Sequence, residues 1–191
     1  MSRNRRIIVY IATSADGFIA RKDGSVDWLD RPHPKGAYGM GAFLKATDTI
    51  LWGRKTFEQS FVLGGGPDTF GGGFKHYVFT RSPGTWEHKG FPCINTPPAE
   101  FAAKLRAEPG KNIWMMGGAS IIASFLDAGA IDEFIIHVIP VMLGEGIPLL
   151  GEGKRTVDLH LVNTRSFSDG VVRLHYSVSS QPNRNNKVKP R

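Results

Sequence analysis

The stretch "IWMMGGASIIASFLDAGAID" (residues 113–132) joins an apolar run to a segment with helical spacing. Its first residues predict a short buried strand. The apolar side chains that follow lie on one helical face, at Ile121, Ile122, Phe125 and Leu126. Gly129 is typical of a helix C-terminus. Between the strand and the helix, Gly117 and Gly118 lack side chains, either because the turn is sterically tight or because a ligand approaches the backbone.

Strands and helices alternate along the remaining chain. Residues 7–12 predict a central strand, and further strands are predicted in "DTILWG", "HYVFT" and "EFIIHVIPVML". "VDLHLVNTRSF" and "VVRLHYSV", joined by a turn at 168–170, predict a hairpin. This order predicts an α/β fold with a mostly parallel central sheet and a C-terminal antiparallel hairpin. Pro140 predicts an edge position or a bulge for its strand, and the composition of the glycine-rich segment 63–74 predicts a mobile loop.

The composition is typical of a globular protein with one domain. The chain has 191 residues, of which 21% are charged and 41% are hydrophobic. We predict a single domain over residues 1–180 and a disordered basic tail over residues 181–191. No apolar run reaches the roughly 18 residues of a membrane span, and the apolar part of the N-terminus is shorter than that of a signal peptide. The single cysteine, Cys93, excludes an internal disulfide and favours a cytoplasmic location.

The net charge of +7 raises the question of a nucleic-acid partner. Four of the cations lie in the predicted tail, at Arg184, Lys187, Lys189 and Arg191. The rest of the chain has no basic stripe and no recognisable RNA- or DNA-binding module, so nucleic-acid binding is not expected. A moderately basic pocket for an anionic small molecule is the better interpretation of the charge.

Three predicted strands end in similar residues. "ILWGRKT" (50–56), "VFTRS" (78–82) and "WMMGGAS" (114–120) each place small or hydroxyl-bearing residues directly after an apolar strand, and the first two add an arginine. Taken alone, each is an ordinary turn, but α/β sheets bind ligands at the carboxyl ends of their strands. If the three ends are neighbours, they predict a site of backbone N–H groups, hydroxyls and cations for a phosphorylated ligand.

Other chemistries lack their motifs. The "GRKT" segment does not have the glycine spacing of a phosphate-binding P-loop. The six histidines show no metal-ligand spacing, so no metal is expected. Ser120 does not stand in a G-x-S-x-G motif, and no hydrolase nucleophile is visible.

Five segments, taken in order, resemble a known family. They are "IIVYIATSADGFIARKDGSVDWL", "TDTILWGRKTFE", "YVFTRS", "IWMMGGASIIASFLDAGAIDEF" and "GEGIPLL". Their order over nearly the whole chain except the tail resembles the dihydrofolate reductase-like superfamily, most closely the branch with the reductase domain of riboflavin biosynthesis and many bacterial relatives. The resemblance implies a three-layer dihydrofolate reductase-like fold, NADPH as the cofactor, hydride transfer to a small heterocyclic or imine-like substrate, and a C₂ homodimer.

The resemblance also implies which residues bind the cofactor. The residues implied to meet the pyrophosphate and the adenosine 2′-phosphate are Gly53, Arg54, Lys55 and Thr56. Those implied to flank the adenine ribose are Thr80, Arg81 and Ser82. Those implied to bind the pyrophosphate at a helix N-terminus, with a cis bond between the two glycines, are Gly117, Gly118, Ala119 and Ser120. Ala12 is implied to offer backbone atoms to the nicotinamide, and Ile19 and the Asp27-Trp28 segment belong to a loop that closes over it.

The substrate end departs from both named relatives. Dihydrofolate reductases carry an acid on the first helix, where this chain has Tyr38 between an alanine and a glycine. The riboflavin reductases carry a D-x-P-x-L-T stretch that "TFEQSFVLGGGPDTF" lacks. Substrates like dihydrofolate and like 5-amino-6-(5-phosphoribosylamino)uracil both stay open, and Trp28 and Tyr38 are the predicted substrate contacts. Asp16 and Asp27 are the candidate catalytic residues for proton transfer, with turn formation as their alternative role.

Two rival functions also stay open. A relative that binds a nucleotide and has lost catalysis has the same strand-end motifs. A cationic RNA-associated protein acting through the tail accounts for the charge at 181–191.

Overall fold

The computed structural model describes residues 5–32, 34–82, 90–151, 153 and 155–179. Within these residues the strands are β1 Ile7–Ser14, β2 Phe18–Ala20, β3 Thr47–Gly53, β4 Lys75–Phe79, β5 Cys93–Ile94, β6 Asn112–Gly117, β7 Glu133–Ile139, β8 Ile147–Pro148, β9 Leu159–Ser166 and β10 Val172–Val178. The α-helices are α1 Met40–Lys45, α2 Arg54–Val62, α3 Pro98–Ala107 and α4 Ala119–Asp127. No helix in the described ranges is long and apolar enough to cross a membrane. The predicted tail at 181–191 lies outside the described residues, and the domain boundary at 180 stays a prediction.

One eight-stranded sheet organises the fold, in the order β5-β4-β3-β6-β1-β7-β10-β9. β1 pairs in parallel with β6 and β7, and β3 pairs in parallel with β6 and β4. Among the described strands of this sheet, only β10 runs opposite to the others, so its pairings with β7 and β9 are the antiparallel ones. The predicted α/β class, the mostly parallel sheet and the C-terminal hairpin are therefore confirmed.

Helices cover both faces of this sheet, because alternate strand residues point to opposite sides. On one face, Ile7, Val9 and Met115 belong to a core that includes Phe101 of α3 and Phe125 of α4. The opposite face, which we call the α1 face, packs against α1 and α2. Its buried core residues are Ile8, Tyr10, Phe43, Ile50, Trp52, Phe57, Val78 and Trp114. Each large apolar side chain that is fully buried contributes about 1.5–3 kcal/mol to stability, so both faces stabilise the predicted three-layer arrangement.

The 113–132 stretch folds as its pattern predicts. β6 ends at Gly117, the Gly117–Gly118 peptide bond is cis as predicted, and α4 begins at Ala119. The φ angle of Gly117 is +114°, in a region that residues with a Cβ rarely adopt. Ile122 and Phe125 are fully buried on the predicted helical face. Gly129, with φ of +63°, follows the end of the helix in the left-handed conformation expected there.

The prediction that Pro140 lies in an edge strand or at a bulge is wrong. β7 lies between β1 and β10 and ends at Ile139, so Pro140 follows a central strand and its missing N–H group interrupts no ladder bond. The glycine-rich segment contains a 3₁₀ turn at Gly66–Phe70. The ring of Phe70 packs edge-on against Trp114 with centroids 4.9 Å apart, which anchors the turn to the core.

Candidate active site

The carboxyl ends of β3 and β6 lie side by side with their backbones in close approach. Trp52 of β3 is opposite Gly117 of β6 in the parallel register. A Cβ atom on Gly53 would lie 3.2 Å from the backbone N of Gly118 and 3.3 Å from the O of Gly117. A Cβ atom on Gly118 would lie 3.0 Å from the hydroxyl oxygen of Thr56. We call Gly53, Thr56, Gly117 and Gly118 the glycine edge, where side chains on the glycines would crowd their neighbours.

Two helices begin at the glycine edge. α2 starts directly after Gly53 and α4 starts directly after Gly118, and among the described residues neither start has a side-chain capping hydrogen bond. The first N–H groups of a helix have no partner within it, and the helix dipole adds positive potential at that end. Two such helices, each of nine residues, meeting at one backbone contact fit the phosphates of a dinucleotide.

Polar residues predicted to bind phosphate lie on the first turns of these helices. Arg54 and Lys55 are exposed at the start of α2, and Arg54 Nη1 lies 2.9 Å from Oε1 of Glu58. Ser120 is exposed on the first turn of α4 and borders an open cavity of about 380 Å³. The guanidinium of Arg155, also at this cavity, forms an ion pair with Asp127 at the end of the same helix.

The third predicted strand end is adjacent to the glycine edge, because β4 is the neighbour of β3 in the sheet. Arg81 and Ser82 follow β4 and are exposed. The backbone N–H of Ser82 donates a hydrogen bond of 3.1 Å to the hydroxyl oxygen of Thr80. The structure thus brings together the three strand ends that the sequence singled out. Their roles in cofactor binding stay predictions.

The predicted nicotinamide end lies on β1 and β2. Ala12 is a half-buried residue of β1, and Ile19 is the middle residue of β2. β2 pairs with β8, and the N–H of Leu149 donates to the carbonyl of Gly17 over 3.1 Å. These bonds hold the start of the predicted closing loop beside the carboxyl end of β1.

Local contacts hold the two candidate proton donors as anions. Asp16 accepts hydrogen bonds from the Ser14 hydroxyl at 2.6 Å and from the N–H groups of residues 143–144, and these bonds lower its pKa to about 2. Asp27 forms a two-bond ion pair with Arg21, at 2.6 and 3.0 Å, which lowers the pKa of Asp27. These contacts favour the alternative role, in which Asp16 and Asp27 hold turns.

Tyr38 belongs to a cluster that covers part of the α1 face. Burial, together with a hydrogen bond from its hydroxyl to Asp169, raises the pKa of Tyr38 to about 12. The Tyr10 hydroxyl donates to the carbonyl of Tyr38 at 3.4 Å. The ring of His137 lies 4.7 Å from the ring of Tyr10 and 5.7 Å from that of Tyr38. Arg173 of β10 is the register partner of His137. We call Tyr10, Tyr38, His137 and Arg173 the α1-face cluster.

His137 and Arg173 are site candidates that the sequence reasoning missed. His137 is 4% exposed, and its Nε2 has no hydrogen-bond partner within the described ranges. Burial, with a further effect from the charge of Arg173, lowers the pKa of His137 to about 4, so its ring is neutral at pH 7. The Nε atom of Arg173 is also buried and has no partner among the described residues. Strand alternation was the available signal, because Ala12, His137 and Arg173 are successive register partners on one face.

Trp28, the other predicted substrate contact, lies in the 3₁₀ turn Asp27–Leu29 of the loop after β2. Its Nε1 is buried without a hydrogen-bond partner in the described part of the chain. Within the same residues, no group of three or more histidine, cysteine or carboxylate side chains is arranged to hold a metal ion.

Comparison with known proteins identifies the family of this chain. The model of the RibD C-terminal domain family matches residues 91–173, a range that includes the Gly117–Gly118 junction and His137 and ends at Arg173. The uncharacterized protein YwjB of Bacillus subtilis is 43% identical over 173 residues, which cover 90% of this chain and 97% of YwjB. The chain belongs to the RibD C-terminal domain family.

Solved structures agree with membership of the RibD C-terminal domain family. One is a crystal structure from Shewanella sp. PV-4 that is named as a riboflavin biosynthesis protein. It matches with a TM-score of 0.76 and 27% sequence identity, and the match covers 94% of this chain and 99% of the Shewanella chain. Dihydrofolate reductase of Enterococcus faecalis, in a complex with NADP(H), has a TM-score of 0.60 and 16% identity, covering 94% of this chain and 99% of its own. The predicted dihydrofolate reductase-like fold is confirmed, and the chain is a member of a reductase family.

Proposed function

We propose that this protein is an NADPH-dependent reductase that transfers hydride to a small heterocyclic or imine-like substrate. The observation that carries the proposal is the glycine edge, where a Cβ atom on Gly53 would lie 3.2 Å from a facing backbone atom between two uncapped helix starts. Such an edge lets a pyrophosphate approach main-chain N–H groups that have no partner within their own helix. The NADP(H) complex of the Enterococcus reductase, which has the same fold, supports the choice of cofactor.

In this proposal, each part of the cofactor has its own partners. The starts of α2 and α4 hold the pyrophosphate, and the Thr56 hydroxyl beside Gly118 donates a hydrogen bond to it. Arg54 and Arg81, exposed on neighbouring strand ends, bind the adenosine 2′-phosphate, because arginine binds phosphate through two parallel hydrogen bonds. Ala12 and Ile19 hold the nicotinamide. When bound, NADPH supplies the hydride.

The residues around the nicotinamide position the loop and keep water out. Because their local contacts hold Asp16 and Asp27 as anions, we assign them to the loop and not to proton donation. Asp16 joins the end of β1 to residues 143–144, and Asp27 joins the loop to Arg21. The neutral ring of His137 lies opposite Ala12, on the side where a substrate would meet the nicotinamide.

Cofactor titration tests this proposal. Tryptophan fluorescence, with Trp28 in the proposed closing loop, should report tight binding of NADPH and weaker binding of NADH. The absence of NADPH binding would overturn the proposal. NADPH binding without NADPH oxidation, across a panel of pterin, pyrimidine and imine substrates, would instead identify a catalytically silent nucleotide-binding relative. Salt-sensitive binding of RNA without NADPH binding would support the cationic RNA-associated alternative.

We further propose that two copies pair across β9 to form a C₂ homodimer in the cytoplasm. β9 is an edge strand with all eight residues exposed, and Leu161 and Val162, which lie at a bulge of this strand, are 58% and 55% exposed. An unpaired strand edge with exposed apolar side chains favours pairing with another chain, which covers both the backbone groups and the apolar surface. The single cysteine, Cys93, suits a reducing compartment. Light scattering should report twice the mass of one chain for the parent and one chain for Val162→Lys, and a monomeric parent would contradict the pairing.

A further inference from the structure

The α1-face cluster continues outward into a second arginine. Arg173 of β10 is the direct register partner of Arg165 of β9, so both side chains lie on the same face of the sheet. The Arg165 guanidinium stacks over the ring of Phe167 at 4.9 Å from its centroid. Two like charges directly opposite each other in an antiparallel pair destabilise the sheet unless something neutralises them.

The nearby carboxylates do not neutralise this pair. Asp169 accepts the hydrogen bond of Tyr38 and lies 3.6 Å from Arg31. Glu133, on the neighbouring strand β7, pairs with Arg6 and His175. Within the described residues, neither Arg165 nor Arg173 forms an ion pair.

Buried nitrogen atoms without partners mark the same place. Arg173 Nε is buried and unpartnered among the described residues, while its Nη2 makes one long contact of 3.4 Å to the Asn163 side chain. Its Nη1 approaches Gly39, where a Cβ atom would lie 3.2 Å away. His137, 96% buried and opposite Arg173 in the register, has an unpartnered Nε2 within the described part of the chain. Buried polar groups normally have hydrogen-bond partners, so these atoms point to a ligand.

We propose that the substrate carries an anionic oxygen group, a carboxylate or a phosphate, that binds Arg173 and Arg165 beside His137. The inference rests on the proposed function, because it places the substrate on the α1 face next to Ala12, the register partner of His137. Arg173 binds the anion through its guanidinium, Arg165 adds a second cation at the rim, and His137 Nε2 completes the polar contacts. The anion cancels the repulsion between the two arginines.

Nuclear magnetic resonance of the full-length protein with ¹⁵N-labelled histidine tests this site directly. NADP⁺ is added first at saturation, so that the helix starts of the glycine edge do not compete for anions. Sodium phosphate and sodium benzoate are then titrated separately, and the His137 ring signals are assigned by their loss in His137→Gln. We expect saturable shifts of these signals with at least one probe. A response to phosphate alone, to benzoate alone or to both identifies the anion as a phosphate, a carboxylate or either.

Variants give the test its specificity. Arg173→Gln should weaken the anion affinity measured from the His137 signals at least about tenfold, because it removes a charge-assisted hydrogen bond. The exposed Arg165→Gln removes only a second cation at the rim and should weaken that affinity about threefold. Lys104→Gln, which removes the same charge from an exposed position on α3, should leave the response unchanged. If Arg173→Gln does not fold, as judged by circular dichroism, Arg165→Gln decides alone. No response in the parent, or equal responses in the parent and the arginine variants, would overturn the proposal.

The two proposals fail in distinguishable ways. The NADPH affinity of each sample is measured separately by tryptophan fluorescence. A His137 response without NADPH binding would leave the anion site standing and reject the reductase assignment. NADPH binding without a His137 response would do the reverse.

Discussion

The glycine edge and the α1-face cluster are two halves of one proposed site, and they are built from different parts of the chain. The glycine edge presents backbone atoms and helix starts, and its residues come from two short segments, 53–56 and 117–118. The α1-face cluster presents side chains from β1, β7, β10 and the turn before α1. The difference indicates that the cofactor half recognises phosphate through a general backbone geometry, while the substrate half depends on particular side chains.

The largest expected effect concerns the α1-face cluster and its buried histidine. Burial lowers the pKa of His137 from 6.5 to about 4, so the unfolded chain takes up this proton before the folded chain does. Above about pH 6.5 the ring is neutral in both states and does not affect the free energy of unfolding. As the pH falls from 6.5 toward 4, protonation of the unfolded chain lowers the free energy of unfolding by about 3 kcal/mol in total. His137→Gln should lack this loss. Urea unfolding at pH 7.5 and pH 4.5 measures it.

His160→Gln, at an exposed position on β9, is the matched control for this prediction and should retain the pH dependence of the parent. If His137→Gln and the parent lose the same stability between the two pH values, His137 is not buried as a neutral ring. The cluster would then lack the neutral buried histidine that this prediction assigns to it.

The next effect concerns cofactor choice at the glycine edge. Arg54→Ala should weaken NADPH binding about 10- to 150-fold and leave NADH binding nearly unchanged, because only NADPH carries the 2′-phosphate. Glu58→Gln is the control, since its exposed ion pair with Arg54 contributes only about 0.3–0.5 kcal/mol. That control should bind NADPH at least as well as the parent. Equal cofactor preference in Arg54→Ala and the parent would remove Arg54 from the 2′-phosphate site.

A backbone substitution should affect both cofactors alike. Gly118→Val should weaken NADPH and NADH at least about tenfold, because its side chain would occupy the space beside Thr56 where both pyrophosphates bind. Gly41→Val on α1 is the matched control, because a Cβ atom there meets nothing within 4 Å. Titration of both cofactors against the folded variants measures the effect. Unchanged affinities in Gly118→Val would mean that the glycine edge is a tight turn only.

The smallest effect distinguishes a side chain of the glycine edge from its backbone. Thr56→Ala should weaken both cofactors about 2- to 12-fold, which corresponds to one hydrogen bond. Thr56→Ser keeps the hydroxyl and should bind as the parent does. If serine and alanine behave alike, the hydroxyl beside Gly118 does not touch the pyrophosphate, and the edge acts through its backbone alone.

Local pattern was enough to predict most of the fold. The period of the apolar residues identified β6 and α4, and the pair Gly117–Gly118 between them follows from the steric limits of a single junction. The prediction for Pro140 was wrong because the sequence pattern does not distinguish a proline just after a strand from a proline inside an edge strand. The 3₁₀ turn at Gly66–Phe70 was missed for a related reason, since its stability comes from the distant ring of Trp114.

By itself, the sequence determined the α/β class, the hairpin and the three strand-end motifs, because each depends on residues that are neighbours along the chain. Only the tertiary structure decided which of these ends lie side by side and which polar residues share a surface. His137 and Arg173 are far apart in sequence and carry no motif, and the pairing of β7 with β10 makes them neighbours. The physical reason is that sheet register, set by the packing of both faces, is a property of the whole chain and of no single segment.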